Sequence, residues 1–293
     1  MPYPVQHLLH RAALVIVALL AACQPKAISM TPEEQQRVEA MTANMTTRCV
    51  GRYLVDMPER FVLNTVSTTR IESVQIQVKS MNKSLFNLTL DAREAVLRKE
   101  KIVGDYYGEN IPSLLSETVL AGGEGKVFNR SESKESPVLR TLELMAWRGG
   151  YAITLLINTQ DRSFAKRQRD GDTRKTDTPE KLAHLLKVYE RVSGRKDTEV
   201  PTVPGLCIPN GFVAGAERKG QETDAVYHLD GAPDVWFGFA SSDAIKEKTT
   251  LFDRAPDVER SMKGGGSKTL RKQKRTLHGQ AYEEWLFINT PEQ

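Results

Sequence analysis

The chain has 293 residues, 40% hydrophobic and 27% charged, with a formal net charge of +4 and a mean hydropathy of −0.42. This is ordinary globular composition with room for two domains. Beyond the N-terminus no apolar run is long enough to cross a membrane, and so mild a charge does not argue for nucleic acid, which would need a basic patch with interleaved aromatics.

The first element is a leader. Arg11 gives a positive start, Ala12 to Leu19 form an apolar segment, and Leu20-Ala21-Ala22-Cys23 leads into Gln24 and Pro25. That layout is a secretion signal. A short transmembrane anchor is the alternative, but the run falls well below the ~20 apolar residues that span a bilayer. Residues 1–22 are read as signal peptide and 23–30 as tether. The terminal Leu-Ala-Ala-Cys resembles a bacterial lipobox, which implies cleavage before Cys23 and lipid on its sulfur and new amine. Gln24 is not the aspartate that retains lipoproteins in the inner membrane, so an outer-membrane anchor facing the periplasm is expected.

Thr31-Pro32-Glu33-Glu34 reads as a helix start, with Thr31 as cap and Glu34 reaching back. Val38, Met41 and Met45 give this helix an apolar stripe ending near Thr47. Pro58 breaks the chain before a strand at Phe61 to Leu63. Val74, Ile76 and Val78 alternate with Gln75 and Gln77, the pattern of a half-buried strand. A second helix is predicted from the cap pair Asp91 and Glu94, with Ala92, Ala95, Val96, Ile102 and Val103 along one side. Strands are predicted at Glu117 to Ala121, Gly125 to Arg130, Leu139 to Trp147 and Tyr151 to Asn158, the last two joined by a Gly149-Gly150 hairpin. A charged loop runs from Asp161 to Asp177. Thr178-Pro179 then opens a helix with Leu182, Leu185, Leu186, Tyr189 and Val192 at helical spacing, stopped at Gly194.

Arg195 to Pro204 is charged and proline-bearing and reads as an interdomain linker. Beyond it, Cys207 precedes Pro209-Asn210-Gly211-Phe212-Val213 much as Cys49 precedes Pro58-Glu59-Arg60-Phe61-Val62; chance likeness of a short word is the alternative. Strands at Asp224 to Leu229 and Asp234 to Ala240, a helix at Pro256 to Met262 and strands at Thr269 to Leu277 and Ala281 to Ile288 follow. The expected fold is α+β: two related lobes, each of antiparallel strands with packed helices, joined by a short linker. The domains are 31–197 and 198–293, the second expected to lack a final helix or to be truncated.

With Cys23 lipidated, Cys49 and Cys207 remain, and in an oxidising compartment a disulfide is the natural reading. Two small buried residues are the alternative. Catalytic words are missing: there is no Gly-x-Ser-x-Gly, no His-Glu-x-x-His and no paired Cys-x-x-Cys. His184, His228 and His278 have no close ligand partner in sequence, and no metal or other cofactor is expected. Gly122-Gly123-Glu124-Gly125-Lys126 lacks the phosphate-loop pattern and reads as a turn. Glu283-Glu284 and Asp253/Asp257 read as solvated carboxylates. Two basic clusters remain: Arg167, Arg169, Arg174 and Lys175 in the loop, and Lys268, Arg271, Lys272, Lys274 and Arg275 near a strand. Such charges ordinarily blunt sheet edges. The sharper reading is a rim that steers an acidic partner or touches lipid head groups.

Two words carry a family resemblance. Arg48-Cys49-Val50-Gly51-Arg52-Tyr53-Leu54-Val55-Asp56-Met57-Pro58 and Pro204-Gly205-Leu206-Cys207-Ile208-Pro209-Asn210-Gly211-Phe212-Val213 resemble the openings of the two domains of type VI secretion lipase-immunity proteins, the inhibitors of the fourth lipase-effector family. The resemblance implies a non-enzymatic two-domain periplasmic lipoprotein that grips an antibacterial phospholipase and blocks its active site or lid. A Cys49–Cys207 bridge would then fix the angle between the lobes. The matched words look like scaffold. Partner contacts are expected from loops, with Arg167, Arg169, Arg174, Lys175, Arg271 and Lys272 as candidates. A structural or accessory envelope lipoprotein is the competing reading.

Overall fold

The computed structural model describes residues 30–64, 67–103, 110–131, 138–163, 175–215, 220–243 and 248–289. Helix α1 (Pro32–Met41) opens with the expected capping box: the Thr31 hydroxyl accepts from the Glu34 N–H, and the Glu34 carboxylate accepts from the Thr31 N–H. The helix stops at Met41, short of the expected Thr47. Asn44 adopts φ 54°, which no helix continues through, and Met45 opens a strand instead. That strand, β1 (Met45–Val50), forms a hairpin with β2 (Tyr53–Pro58).

β3 (Phe61–Leu63), β4 (Thr69–Ile71) and β5 (Val74–Ser80) follow, and β5 buries Val74, Ile76 and Val78. The second helix begins earlier than expected. α2 (Lys83–Lys99) is capped by Asn82, whose side-chain oxygen accepts from the Leu85 N–H. Asp91 and Glu94 lie inside it, and Phe86, Leu90 and Leu97 form its buried face. Ile102 and Val103 belong to β6 (Lys101–Val103), paired with β7 (Asn110–Pro112).

β8 (Leu114–Val119), β9 (Gly125–Ser131), β10 (Leu139–Arg148) and β11 (Tyr151–Gln160) form an antiparallel meander. Gly149 and Gly150, at φ 57° and 92°, make the turn between the last two, which requires left-handed backbone at both positions. α3 (Thr178–Arg191) carries Leu182, Leu185, Leu186 and Tyr189 of the predicted stripe, but Val192 falls outside it and Gly194 does not terminate it. The chain passes directly into β12 (Val192–Gly194). Glycine is needed there for close approach, since a Cβ would fall 2.0 Å from the Tyr151 ring.

The remaining elements are β13 (Gly205–Ile208), β14 (Gly211–Ala214), β15 (Gln221–Leu229), β16 (Ala232–Ser242), α4 (Ala255–Gly264), β17 (Ser267–Leu277) and β18 (Gln280–Asn289). The strands assemble into a nine-stranded sheet ordered β16-β15-β4-β5-β11-β10-β9-β8, with β3 also on β15. β12, β14 and β13 form a smaller sheet, and β17 pairs with β18. Every strand pairing among the described residues is antiparallel.

The two halves of the chain share one sheet. β15 lies beyond residue 198 yet pairs with two strands from before it: Tyr227 opposes Leu63, and Gln221 opposes Ile71. One sheet therefore crosses the expected boundary. The physical reason is the alternation of β15, which buries Gln221, Thr223, Ala225, Tyr227 and Leu229 on the face that β4 and β5 also bury. α3 covers that face through Leu185 and Val188, packed on Ile153, Leu155, Val74 and Ile76. α2 covers part of the opposite face through Phe86 and Leu90, on Phe128 and Met145. A third cluster, built on Val50, Met57, Ala225 and Tyr227, seats the β1–β2 hairpin over β15 and β16.

Candidate partner-binding surface

The region read as a linker, Arg195 to Pro204, is mostly exposed but is anchored at its first residue in a buried joint. Arg195 is 4% exposed. Its guanidinium donates to the carbonyls of Cys49, Gly211, Lys196, Asp197 and Glu199. Burial pulls its proton affinity below the usual arginine range, opposed first by the charge of Asp197. Asp197 also accepts from Arg48 and from the Tyr227 hydroxyl, and Arg48 lies over the Tyr227 ring. Burial, reinforced by Asp197, pushes the Tyr227 phenol far up, so it acts as a hydrogen-bond donor. Beside this network Cys49 and Cys207 are disulfide-bonded, with Cα atoms 5.7 Å apart. Gly51 and Cys207 exchange two backbone hydrogen bonds, of 2.9 and 2.7 Å. Residues from both sides of the boundary are thus locked into one body.

Cys23, Arg167, Arg169 and Arg174 lie outside the described residues. The stems of the long loop are described and pinned. Asp161 accepts from Asn129 and from the Ser163 N–H and hydroxyl. Burial alone would raise its carboxyl, but these hydrogen bonds and Arg140 hold it below the ordinary aspartate range. Arg140, itself desolvated, falls to about 10. On the other stem Asp177 accepts from the Thr159 hydroxyl and the Gln160 N–H, and Lys175 is exposed beside it.

The second basic cluster is largely engaged within its own hairpin. Arg271 donates to Glu284 at 2.6 Å. Lys272 sits 4.0 Å from the Trp285 ring centre and 3.2 Å from the Glu259 carboxylate. Glu283 and Glu284 serve the hairpin too: Glu283 accepts from the Phe252 N–H, and Glu284 from Gln273. Asp253 accepts from the Thr250 N–H, and Asp257 pairs with Arg260. His184 lies 3.2 Å from the Glu72 carbonyl. Among the described residues no group of His, Cys, Asp and Glu is placed to hold a metal ion.

A surface that sequence reasoning missed lies at the end of the large sheet. On the face opposite α3, the side chains of Val62, His228 and Trp236 stand in register on β3, β15 and β16. Trp236 is 65% exposed and Val62 46%. Asp224, Gly238 and Ala240 continue this face, all exposed. On the joint side, Tyr53 and Leu54 of the β1–β2 hairpin are also exposed, with Tyr53 against Phe239. The sequence signal was present in Val235-Trp236-Phe237-Gly238-Phe239, where apolar residues occupy both faces of one strand.

The geometry is that of a mixed, antiparallel α+β protein with an exposed apolar end on its large sheet. Family models say which one. The Tle cognate immunity protein 4 N-terminal domain matches residues 46–195, and its C-terminal domain matches residues 199–293. The chain belongs to this family of type VI secretion immunity proteins. No curated protein sequence matches it. Among solved structures it is similar to the apo immunity protein TplEi of the type VI system of Pseudomonas aeruginosa, with 18% identity and a TM-score of 0.64, covering 86% of this chain and 78% of that one. It is also similar to a chain of the Tle4–Tli4 complex, with 18% identity and a TM-score of 0.63, covering 86% and 77%. TplEi bound to an "L" peptide gives a TM-score of 0.58 at 18% identity, covering 86% and 77%. These likenesses establish a shared fold.

Proposed function

We propose that this chain is a periplasmic, lipid-anchored immunity protein that binds a cognate type VI secreted phospholipase and inhibits it by covering its active site or lid. The observation that carries this reading is the succession of both family domains along residues 46–195 and 199–293. Three features support it. The Leu20-Ala21-Ala22-Cys23 word would deliver the chain to the membrane such a lipase attacks. A disulfide suits an oxidising compartment. The locked joint offers a preorganised surface, which limits the ordering cost of binding. Inhibition of this kind needs no catalytic group of its own.

The test is protection. The genetically adjacent lipase is directed to the periplasm of a sensitive host, with this protein either exported or lacking residues 1–22. Survival only with the exported form is expected. Lysis in both cases, with the protein shown to be folded and exported, would overturn the reading.

A further inference from the structure

The two edges of the nine-stranded sheet differ. β8 has six residues, a register shift between Leu114 and Ser116, and Glu117 paired with Arg98 and Lys126. Short, bulged and charged edges of this kind resist further pairing. At the other edge β16 has 11 residues; its Pro233, Asp234 and register shift lie before Trp236, and the stretch from Val235 to Ser242 contains no charge and no proline.

Backbone direction along β16 follows from its neighbour. On β15 the Asp224 N–H donates to the Thr68 carbonyl, the Val226 N–H to the Ser67 hydroxyl, and the Val226 carbonyl accepts from the Asn64 N–H. Those groups point away from β16. Their partners across the ladder are Ala240 and Gly238, with Trp236 two residues further along opposite His228. In an antiparallel pair, opposed residues that do not bond each other turn their N–H and C=O groups outward. Trp236, Gly238 and Ala240 therefore present a row of donors and acceptors along the sheet margin. Such a row is complementary to one thing, another extended backbone.

We propose that the β16 edge receives an extended segment of the cognate lipase as a tenth strand of the sheet, an inference that rests on the immunity reading above. The charge pattern argues against a second copy of this chain. Asp234 and Asp243 bracket the neutral stretch. An antiparallel copy paired about Gly238 would bring Asp234 beside Asp243 of its mate at both ends, a repulsive arrangement. The pattern instead selects a segment that is apolar in the middle and neutral or basic at its ends. Its alternate side chains would meet Trp236 on one face and Phe237 and Phe239 on the other. At the Ser241–Asp243 end a cavity of about 200 Å³, lined by Arg52, Tyr53, Leu206, Gln221 and Asp243 among others, offers a niche for one further side chain.

The experiment compares free protein with its complex with the adjacent lipase by residue-resolved amide hydrogen exchange, alongside binding by Ala240→Pro and Ala240→Val. Proline removes one outward N–H and leaves the ladder to β15 intact; valine keeps the N–H. Expected results are slowed exchange at Trp236, Gly238 and Ala240 in the complex, and binding at least tenfold weaker for Ala240→Pro than for Ala240→Val, both variants melting near the parent. Tight binding by the parent with these amides still exchanging freely would overturn the proposal and leave the immunity reading standing. Absence of any binding by the parent would overturn both. Protection of the same amides in the free protein, rising with its concentration, would assign the edge to a second copy and overturn the choice of occupant.

Discussion

Leu155 and Leu286 are both leucines on long antiparallel strands, yet the first has 0% of its surface exposed and the second 40%. The difference is one of layers. Leu155 lies in a sheet covered by α3 on its face, among Ile76, Val78 and Leu144. Leu286 lies on a hairpin whose other face meets the α4 segment through Phe252 and Trp285, 6.4 Å apart. Among the described residues from 248 to 288 none is buried, and Leu277, Tyr282, Phe287 and Ile288 are exposed as well. A two-stranded ribbon with one short helix has too little apolar area to close a core. Its strands are joined by their backbone ladder, and ion pairs such as Arg271–Glu284 and Lys274–Glu283 contribute little in solvent. The large sheet has a closed core, and among its described residues the C-terminal hairpin has none.

The contrast can be broken at the joint first. Cys49→Ser opens a crosslink between residues 158 apart in sequence. Chain entropy alone predicts a loss of about 5 kcal/mol for a loop of that length. Denaturant titration with and without reductant reads this directly, and an unchanged midpoint would show that the joint stands without its crosslink. Leu155→Ala should cost about 3–4 kcal/mol through an unfilled cavity. Arg195→Ala, which leaves buried carbonyls without their donor, should cost about 3 kcal/mol. Its further signature is faster amide exchange at Gly51 and Cys207, whose mutual hydrogen bonds the joint supports. Asp161 gives a pH test. Its folded carboxyl is depressed, so its stabilisation is full above the unfolded value of about 3.9 and lost as pH falls through the folded one. The stability gap between the parent and Asp161→Asn at neutral pH should close on acidification. Last, Leu286→Ala should change stability by less than about 0.5 kcal/mol. A larger loss would mean that the hairpin has a core of its own.

Local chemistry was legible in the sequence, and long-range pairing was not. The Thr31–Glu34 box, the Gly149-Gly150 turn and the stripe of α3 each depend on residues within a few positions of one another, and all three form. Asp91 and Glu94 imitated a cap because they have its spacing. The true cap, Asn82, precedes Lys83 and Ser84 and carries no acidic partner in the first turn. Gly194 looked like a helix stop, because its need to clear Tyr151 is visible only in three dimensions. The shared sheet was hidden for the same reason. Nothing within β15 announces that Tyr227 will stand opposite Leu63, and nothing within β16 announces that it will lie at an edge. The candidate binding surface depends on both facts.

The shared sheet also imposes an order of assembly. β4 and β5 can pair as soon as they exist, because they are joined by Glu72 and Ser73. β3 and the far side of β4 must wait for β15, which is made some 150 residues after β4. Throughout that interval the β4 margin stands open, with Thr69 and Ile71 lacking the strand that pairs with them. Contacts this distant in sequence close slowly and expose a nascent chain to mispairing. A ribosome stalled before residue 221 would therefore hold a sheet that is correctly begun and still adhesive, the stage at which a chaperone has most to bind.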